Sequence, residues 1–487
     1  MMIVLYILLA ILLVLFVLLL IAIIHTCLMA LPKPEKRKAC SRNEKELEEM
    51  GERFSRMIQV KTLSRNPGED LSAFDHLQKV IDDVFPLCHE NMEKTVLDGV
   101  LIYHWKGKDS SKLPILLMGH QDVVPCDVKQ WSVDPYGGII KDGKLYGRGT
   151  IDDKCNIFCQ MSAIEGLMKE GFVPEEDIWL EYSVNEEISG PGAANAVKWF
   201  QSKGIRFACA WDEGGAIVDK AMKGMDRPFA VIGITEKGYI DVKITAKGEG
   251  GHSSAPKKDT TVTRLADFMH EVDHSHPFEM KMTPHVKKMF SDMAPSFGFG
   301  MRLIFGNLWL FSGLLTKLMP SINAQGAAML GTTCTFTMMH GSDASNVIPT
   351  ESYVIANLRP GFTQGVEESL NILKRIGRKY NLEFEVLSSR ESSPVTPTDS
   401  PVYHYLEDCI HHQFPDCGCS AYVMTGGTDN RSYPPLTKNC LRFYPVRLTS
   451  DQLGRMHGND ENIDLDACSD AIDFYAYFIK NYKAEEA

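Results

Sequence analysis

The sequence predicts an α/β fold: a catalytic domain with a largely parallel central sheet, preceded by an N-terminal transmembrane helix. Three observations predict it. From about residue 44 onward, short apolar runs alternate with amphipathic stretches of helical period, the pattern of strands and crossover helices. The histidine- and acid-bearing motifs fall at the ends of those apolar runs, where open α/β sheets carry their ligand loops. Residues 1–24 contain no charged side chain and are almost wholly Leu, Ile, Val and Ala, long enough to cross a bilayer once. With 487 residues, 44% of them hydrophobic, the chain can bury a large core and is expected to form two domains. A net charge of -12 gives no basic footprint, so no nucleic-acid partner is expected.

In chain order, residues 1–26 read as an uncleaved anchor, because no basic stretch precedes the apolar run and no small-residue cleavage site follows it. Residues 27–43 are a polar linker. Lys33, Lys36, Arg37 and Lys38 all follow the span, which by the positive-inside rule places the rest of the chain in the cytoplasm. Charge-rich amphipathic stretches at 44–60 and 75–84 predict helices, and apolar runs at 100–104 and 115–118 predict strands. The second of these delivers His120 and Asp122. Residues two apart on an extended segment share a face, so a carboxylate can sit behind the imidazole and fix its tautomer for metal binding. A glycine-rich turn at 147–154 presents Asp152, a helix is expected at 156–169, and the apolar run 178–184 ends in Glu186 and Glu187. A further acidic pair, Asp212 and Glu213, precedes two glycines.

Near residue 236 the texture changes to the alternation of a half-exposed strand at 238–246, and His252 stands just before a helix starting near Thr260. Residues 297–319 are unusually apolar but contain Arg302, Lys317 and four glycines, so they read as a lid-like or interface helix pair rather than a second span. The 13 cysteines are scattered and read as small core residues, and Cys417 with Cys419 as a loop pair. His457 lies in a late MHGNDE motif, and 466–482 is the final helix.

The phrases GHQDVVP, WSVDPYGG, GRGTIDDK and MTGGTDNR, with the acidic pairs and the late histidine, resemble the M20 family of zinc peptidases and amidohydrolases. Within it the chain is most similar to the carboxypeptidase S and N-acyl-amino-acid hydrolase branch, and the likeness runs over residues 46–482. The resemblance implies a catalytic domain of residues 44–236 and 388–487, interrupted at 237–387 by a smaller α/β domain used for dimerisation or as a lid. It implies two Zn2+ ions, with Mn2+ or Co2+ as alternatives. His120 would bind one ion and His457 the other, Asp152 would bridge them, Glu187 would complete the second set, and the choice between Asp212 and Glu213 stays open. Glu186 is the implied general base, Asp122 supports His120, and His252 reaches the centre of a neighbouring subunit in a homodimer. Asn346, Arg359 and Arg431 match substrate-holding positions, Arg431 as the carboxylate fork.

The implied activity is that of a membrane-anchored di-zinc hydrolase of the amide bond in N-acyl amino acids or short peptides with a free carboxylate, with the reverse condensation open to the same site. The alternatives are a carboxypeptidase or dipeptidase and, more remotely, a non-catalytic membrane receptor or scaffold. Secreted and lumenal members of the family make an extracytoplasmic catalytic domain the alternative topology.

Overall fold

The computed structural model describes residues 2–31, 33, 35–219 and 221–483. Met1 of the expected anchor, Pro32 and Pro34 of the expected linker, and residues 484–487 at the end of the second catalytic stretch lie outside them. Helix α1 (Met2–Leu28) is apolar on every face and buries only Ala22 and Thr26. Helix α2 (Glu44–Ile58) begins at a capping box of Asn43 and Glu46 and buries Met50, Phe54, Met57 and Ile58. Then come α3 (Ser72–Val84), α4 (Pro86–Asn91), β1 (Glu93–Leu97), β2 (Val100–Trp105), β3 (Ile115–His120), β4 (Ile139–Lys141), β5 (Lys144–Tyr146) and α5 (Lys154–Lys169). The first stretch closes with β6 (Ile178–Ser183), α6 (Gly192–Ser202), β7 (Cys209–Asp212), β8 (Ile217–Val218) and β9 (Phe229–Glu236).

The middle of the chain holds β10 (Tyr239–Lys247), β11 (Gly251–His252), α7 (Thr261–Ser275), α8 (Pro284–Met293), α9 (Phe299–Phe305), α10 (Leu308–Ile322) and α11 (Ala324–Leu330). It continues with β12 (Thr333–His340), β13 (Val347–Ile348), β14 (Glu351–Arg359), α12 (Val366–Gly377) and β15 (Leu382–Arg390). The last stretch contains α13 (Pro401–Gln413), β16 (Gly418–Met424), β17 (Cys440–Arg442), β18 (Arg447–Leu448), α14 (Ser450–Arg455), β19 (Asn462–Asp464) and α15 (Leu465–Asn481).

Among the described residues the largest sheet has ten strands, ordered β1-β2-β6-β3-β7-β17-β9-β8-β18 with β16 beside β9. Its centre, β6-β3-β7-β17, is parallel, and antiparallel strands flank it on both sides. Strands β3, β6 and β7 are buried along their whole length, which suits a sheet with helices on both faces and explains their mostly apolar sequences, interrupted in β6 by the buried Glu181. One core joins α2, α5 and α15 to the sheet, and another joins α6 and the end of α3 to its opposite face.

A four-stranded antiparallel sheet, β12-β14-β10-β15, is covered by Leu265 and Phe268 of α7 and Leu370 and Leu373 of α12. The apolar stretch 297–319 becomes α9 and α10, bent 99° apart. Although it lies between two strands of this smaller sheet in sequence, it packs with α8 on Phe229 of β9 and Val423 of β16, and on Met29 just beyond α1. Cys419 belongs to β16 rather than to a loop, and Cys417 immediately precedes that strand.

Candidate metal centre

Three neighbouring parallel strands end together. Strand β3 ends in His120, β6 opens into the turn carrying Glu186 and Glu187, and β7 ends in Asp212 ahead of Glu213. The turn after β5 adds Asp152, and the turn after α14 adds His457. Asp152 is the hub: its Oδ1 lies 2.8 Å from His120 Nε2 and its Oδ2 lies 3.0 Å from His457 Nε2. The same His457 nitrogen is 3.0 Å from Glu187 Oε2, and Glu213 Oε1 stands 3.9 Å from His120 Nε2. Ligand-type atoms of His120, Asp152 and Glu187 lie within 4.8 Å of one another, as do those of His120, Glu186 and Glu213. Asp212 faces elsewhere, its carboxylate accepting the backbone N–H groups of Glu213 at 3.0 Å and Asn430 at 2.9 Å.

The charges are arranged for cations. Burial opposes ionisation of Asp152, yet the hydrogen bonds from both imidazoles hold its carboxyl below the usual range. Bonds to Asp152 and Glu187 push His457 up to about 10. Burial, followed by Asp429, lifts Glu186, while burial followed by Asp152 lifts Glu187 and Glu213. So much buried negative charge is short of positive partners. In addition, Glu187 Oε1 is buried with no hydrogen-bond partner among the described residues. A donor set of imidazole nitrogens and carboxylate oxygens with no thiolate fits zinc, and manganese or cobalt after it.

Asp122 differs from the sequence expectation in one respect. The atom nearest His120 Nδ1 is the backbone carbonyl oxygen of Asp122, at 2.9 Å, with the carboxylate Oδ1 at 3.4 Å. The carboxylate accepts Ser64 Oγ at 2.7 Å and the backbone N–H groups of Glu186 and Glu187 at 3.3 and 3.2 Å. It therefore ties the imidazole to the Glu186 turn. Two more buried acids brace the site. Asp153 accepts the His120 N–H at 3.2 Å, and Gly119 is needed there because a Cβ would come within 2.7 Å of that carboxylate. Glu461 accepts the N–H groups of Gly149, Ile151 and Asp152 at 3.2, 2.7 and 3.2 Å and pairs with Arg148, fixing the backbone that carries Asp152.

A cationic corner adjoins the acids. Arg431 donates from Nη1 to Glu186 Oε1 at 3.2 Å and to the Thr428 carbonyl at 2.6 Å, and its Nη2 is 3.6 Å from Asp429. Arg390, at the end of β15, is half-buried and in no ion pair within 4.0 Å among the described residues; a Cβ on Gly427 would lie 3.2 Å from Glu236 Oε2, 3.3 Å from Arg390 Nη2 and 3.8 Å from Arg431 Nη1. Arg359, at the end of β14, stacks 4.8 Å over the Tyr239 ring. By contrast, His252 and Asn346 are exposed and neighbour one another on the β11–β13 ribbon, where Ser253 N–H donates to the Asn346 carbonyl at 3.0 Å. Among the described residues neither is in a hydrogen bond or ion pair with the acidic cluster. A cavity of about 280 Å³ opens on Asp152, Glu186, Glu187, Glu213 and His457, walled by Tyr422 and Met424.

Sequence reading missed Arg390, Asp429 and Glu461. The last two lie within motifs already singled out, one beside Arg431 and the other four residues after His457. Arg390 has no local motif, and only the fold brings it to Gly427.

A profile of peptidase family M20/M25/M40 matches residues 116–481. The N-fatty-acyl-amino acid synthase/hydrolase PM20D1 of Xenopus tropicalis is 33% identical over 90% of this chain and 86% of its own length. Probable carboxypeptidase S-like 2 of Dictyostelium discoideum is 30% identical over 89% and 85%. Among solved structures, the M20 family metallo-carboxypeptidase Sso-CP2 of Sulfolobus solfataricus aligns with a TM-score of 0.65 at 16% identity, covering 89% of this chain and 98% of that one. That likeness concerns the fold.

Proposed function

The chain belongs to peptidase family M20/M25/M40 and is a metallo-hydrolase of it, and from that premise we propose a specific function. It hydrolyses the amide bond of N-acyl amino acids that carry a free carboxylate, using two zinc ions, while anchored in a membrane by α1. The observation that carries this reading is the convergence of His120, Asp152, Glu187, Glu213 and His457 next to a guanidinium, Arg390, without an ion-pair partner. In this assignment His120 and Glu213 would hold one ion, His457 and Glu187 would hold the other, and Asp152, within reach of both imidazoles, would be shared. Glu213 is preferred over Asp212 because the latter's carboxylate is committed to backbone N–H groups.

Bound there, the zinc ions supply Lewis acidity and bring the pKa of a water toward neutrality. The chain does the rest. Glu186 takes the proton of the attacking water and returns it to the leaving nitrogen, and Arg431 with the turn braced by Asp122 keeps its carboxylate in place. Arg390 and Arg359 receive the substrate carboxylate, for which a guanidinium fork is suited. His252 and Asn346, presented together on the exposed ribbon, serve the oxyanion and substrate of a partner subunit in a homodimer.

The relative named as an N-fatty-acyl-amino acid synthase/hydrolase favours acyl amino acids and makes the reverse condensation accessible, while the carboxypeptidase S-like relative keeps peptide cleavage as the second reading. Retention of α1 is supported by the buried side chain of Asn307, which bonds to Ala22, His25 and Thr26 of that helix. The basic flank after α1 favours a cytoplasmic catalytic domain. The experiment is turnover of a panel of N-acyl amino acids and dipeptides by the zinc-loaded chain and by Glu186→Gln. Acyl amino acids should be cleaved by the first and not by the second, with zinc retained in both. Turnover of dipeptides alone moves the assignment to a dipeptidase or carboxypeptidase, and no turnover with no zinc bound restores the receptor reading.

A further inference from the structure

Helices α9 and α10 have one satisfied face and one bare face. Inward, Phe305, Leu308, Leu315 and Met319 are buried against α8 and the β9–β16 edge. Outward, Leu314, Leu318 and Ile322 form an exposed row at i, i+4 spacing, Trp309 is exposed on the far edge of the same helix, about half a turn round from Leu318, and Phe299 and Met301 of α9 are exposed as well. Each such side chain left in water forgoes about 1.5–3 kcal/mol of burial. Lys317 lies between these two edges, and a lysine can bury its stem in an apolar layer while its ammonium stays at the polar boundary.

The covering of this face is indicated by what lies beside it. The bend between the two helices is pinned to α1 through Asn307, which is fully buried. Its Nδ2 donates to Ala22 O at 3.2 Å, Thr26 Oγ1 at 2.9 Å and Leu303 O at 2.8 Å, and its Oδ1 meets His25 Nδ1 at 3.0 Å and Trp309 Nε1 at 3.1 Å. A hydrocarbon layer takes about 20 helical residues. An anchor that enters the bilayer near Met2 therefore leaves it near Ala22, so the clamp sits at the boundary between lipid tails and headgroups. The segment after α1 is tied down as well, Arg37 to Asp466 and Asp470 at 3.0 and 2.8 Å and Arg42 to Asp473 at 3.0 Å. The body thus has little freedom to swing away from the end of its anchor.

We propose that α9 and α10 are a second membrane contact: the exposed face of α10 that is edged by Trp309 on one side and by Leu314, Leu318 and Ile322 on the other is immersed in the leaflet from which α1 emerges, and the catalytic body lies on the bilayer surface. This rests on the reading of α1 as a retained anchor. Strand β16 separates the pair from the cleft. Its Tyr422 and Met424 wall the cavity over the metal centre. An amphiphile dissolved in that leaflet is one strand away from Glu186.

Trp309 is a built-in reporter, the exposed tryptophan of this face. The full chain is reconstituted into phosphatidylcholine vesicles brominated high on the acyl chains, and its emission is compared with that of Trp309→Phe. The expected result is that the chain floats with the vesicles and that the Trp309 contribution is blue-shifted, quenched by bromine and shielded from aqueous acrylamide. Leu314→Asp with Leu318→Asp should still float, through α1, but lose the quenching and gain acrylamide access. Flotation with Trp309 unquenched and open to acrylamide overturns the proposal while leaving the anchor intact. Flotation with Trp309 shielded from both quenchers also overturns it, in favour of a second chain on this face. Failure to float overturns the anchor reading and the proposal together.

Discussion

Asp122 offers the sharpest test of how the centre is held, because Asp122→Asn changes almost no volume but removes a charge that several groups share. Its carboxylate accepts two backbone N–H groups, from Glu186 and Glu187, besides Ser64 Oγ, and lies 3.4 Å from the His120 ring. An amide presents its own N–H₂ to one of those donors. Taking about 1.5 kcal/mol for the one backbone bond that the amide cannot accept, the low end for charged acceptors because the bond is long, the loss is about 1.5 kcal/mol. At 1.36 kcal/mol per decade this is about tenfold in kcat/KM. Because the same turn carries Glu187, zinc affinity should fall about 10- to 100-fold. The assays are steady-state hydrolysis and competition for zinc with a fluorescent chelator, with Glu186→Gln alongside. The reasoning predicts that Asp122→Asn loses both activity and zinc affinity, whereas Glu186→Gln loses activity alone. Wild-type zinc affinity in Asp122→Asn would refute it, since the carboxylate would then not order the 185–187 turn.

Three further outcomes follow from the same geometry. Glu213→Gln should bind one equivalent of zinc fewer than the parent, while Asp212→Asn should keep both and lose thermal stability; metal analysis showing the reverse reassigns the ligand. Arg390→Met should raise KM about 10- to 100-fold with kcat nearly unchanged, a charged hydrogen bond being worth about 1.5–3 kcal/mol, whereas Arg431→Met, which frees Glu186, should act mainly on kcat. Lys237 is lowered from 10.5 to about 7 by burial and by Arg359, so between those values the unfolded chain binds the extra proton and stability rises with pH. Lys237→Met should remove up to about 1.36 kcal/mol per pH unit from that slope, and equal melting-temperature slopes for the two proteins between pH 7 and 10 would argue against it.

Much of the centre was legible because its residues sit in short motifs at strand ends. The apolar runs at 115–118 and 178–184 announce buried parallel strands, and chemistry at their carboxyl ends follows from how such sheets expose loops. Asp152, Glu187 and His457 were expected only from the resemblance to the M20 family, and His457 follows α14 rather than a strand. What the sequence left open depends on side-chain direction. Asp212 and Glu213 are neighbours on a strand end, and only the backbone N–H groups around Asp212 decide which carboxylate faces His120. Arg390 was invisible because an arginine at the end of an amphipathic strand has no motif. Its role comes from β15 terminating beside Gly427. The stretch 297–319 was legible as a helix pair but not in its packing, since an apolar face identifies no partner by itself, and Asn307 supplies that information only once α1 lies against it.

The bond network between Glu461 and the 148–152 backbone also sets an order of events during synthesis. Arg148 and Asp152 leave the ribosome long before Glu461 and His457, and at 5–20 residues per second a gap of about 270 residues between Glu187 and His457 lasts roughly 15–55 s. Throughout that interval the nascent chain carries an acidic cluster with only one of its two imidazoles and without the carboxylate that fixes its hub. On the proposed assignment, ion capture would therefore be the closing act of biogenesis rather than its seed, and chains from ribosomes stalled before codon 457 should hold no zinc.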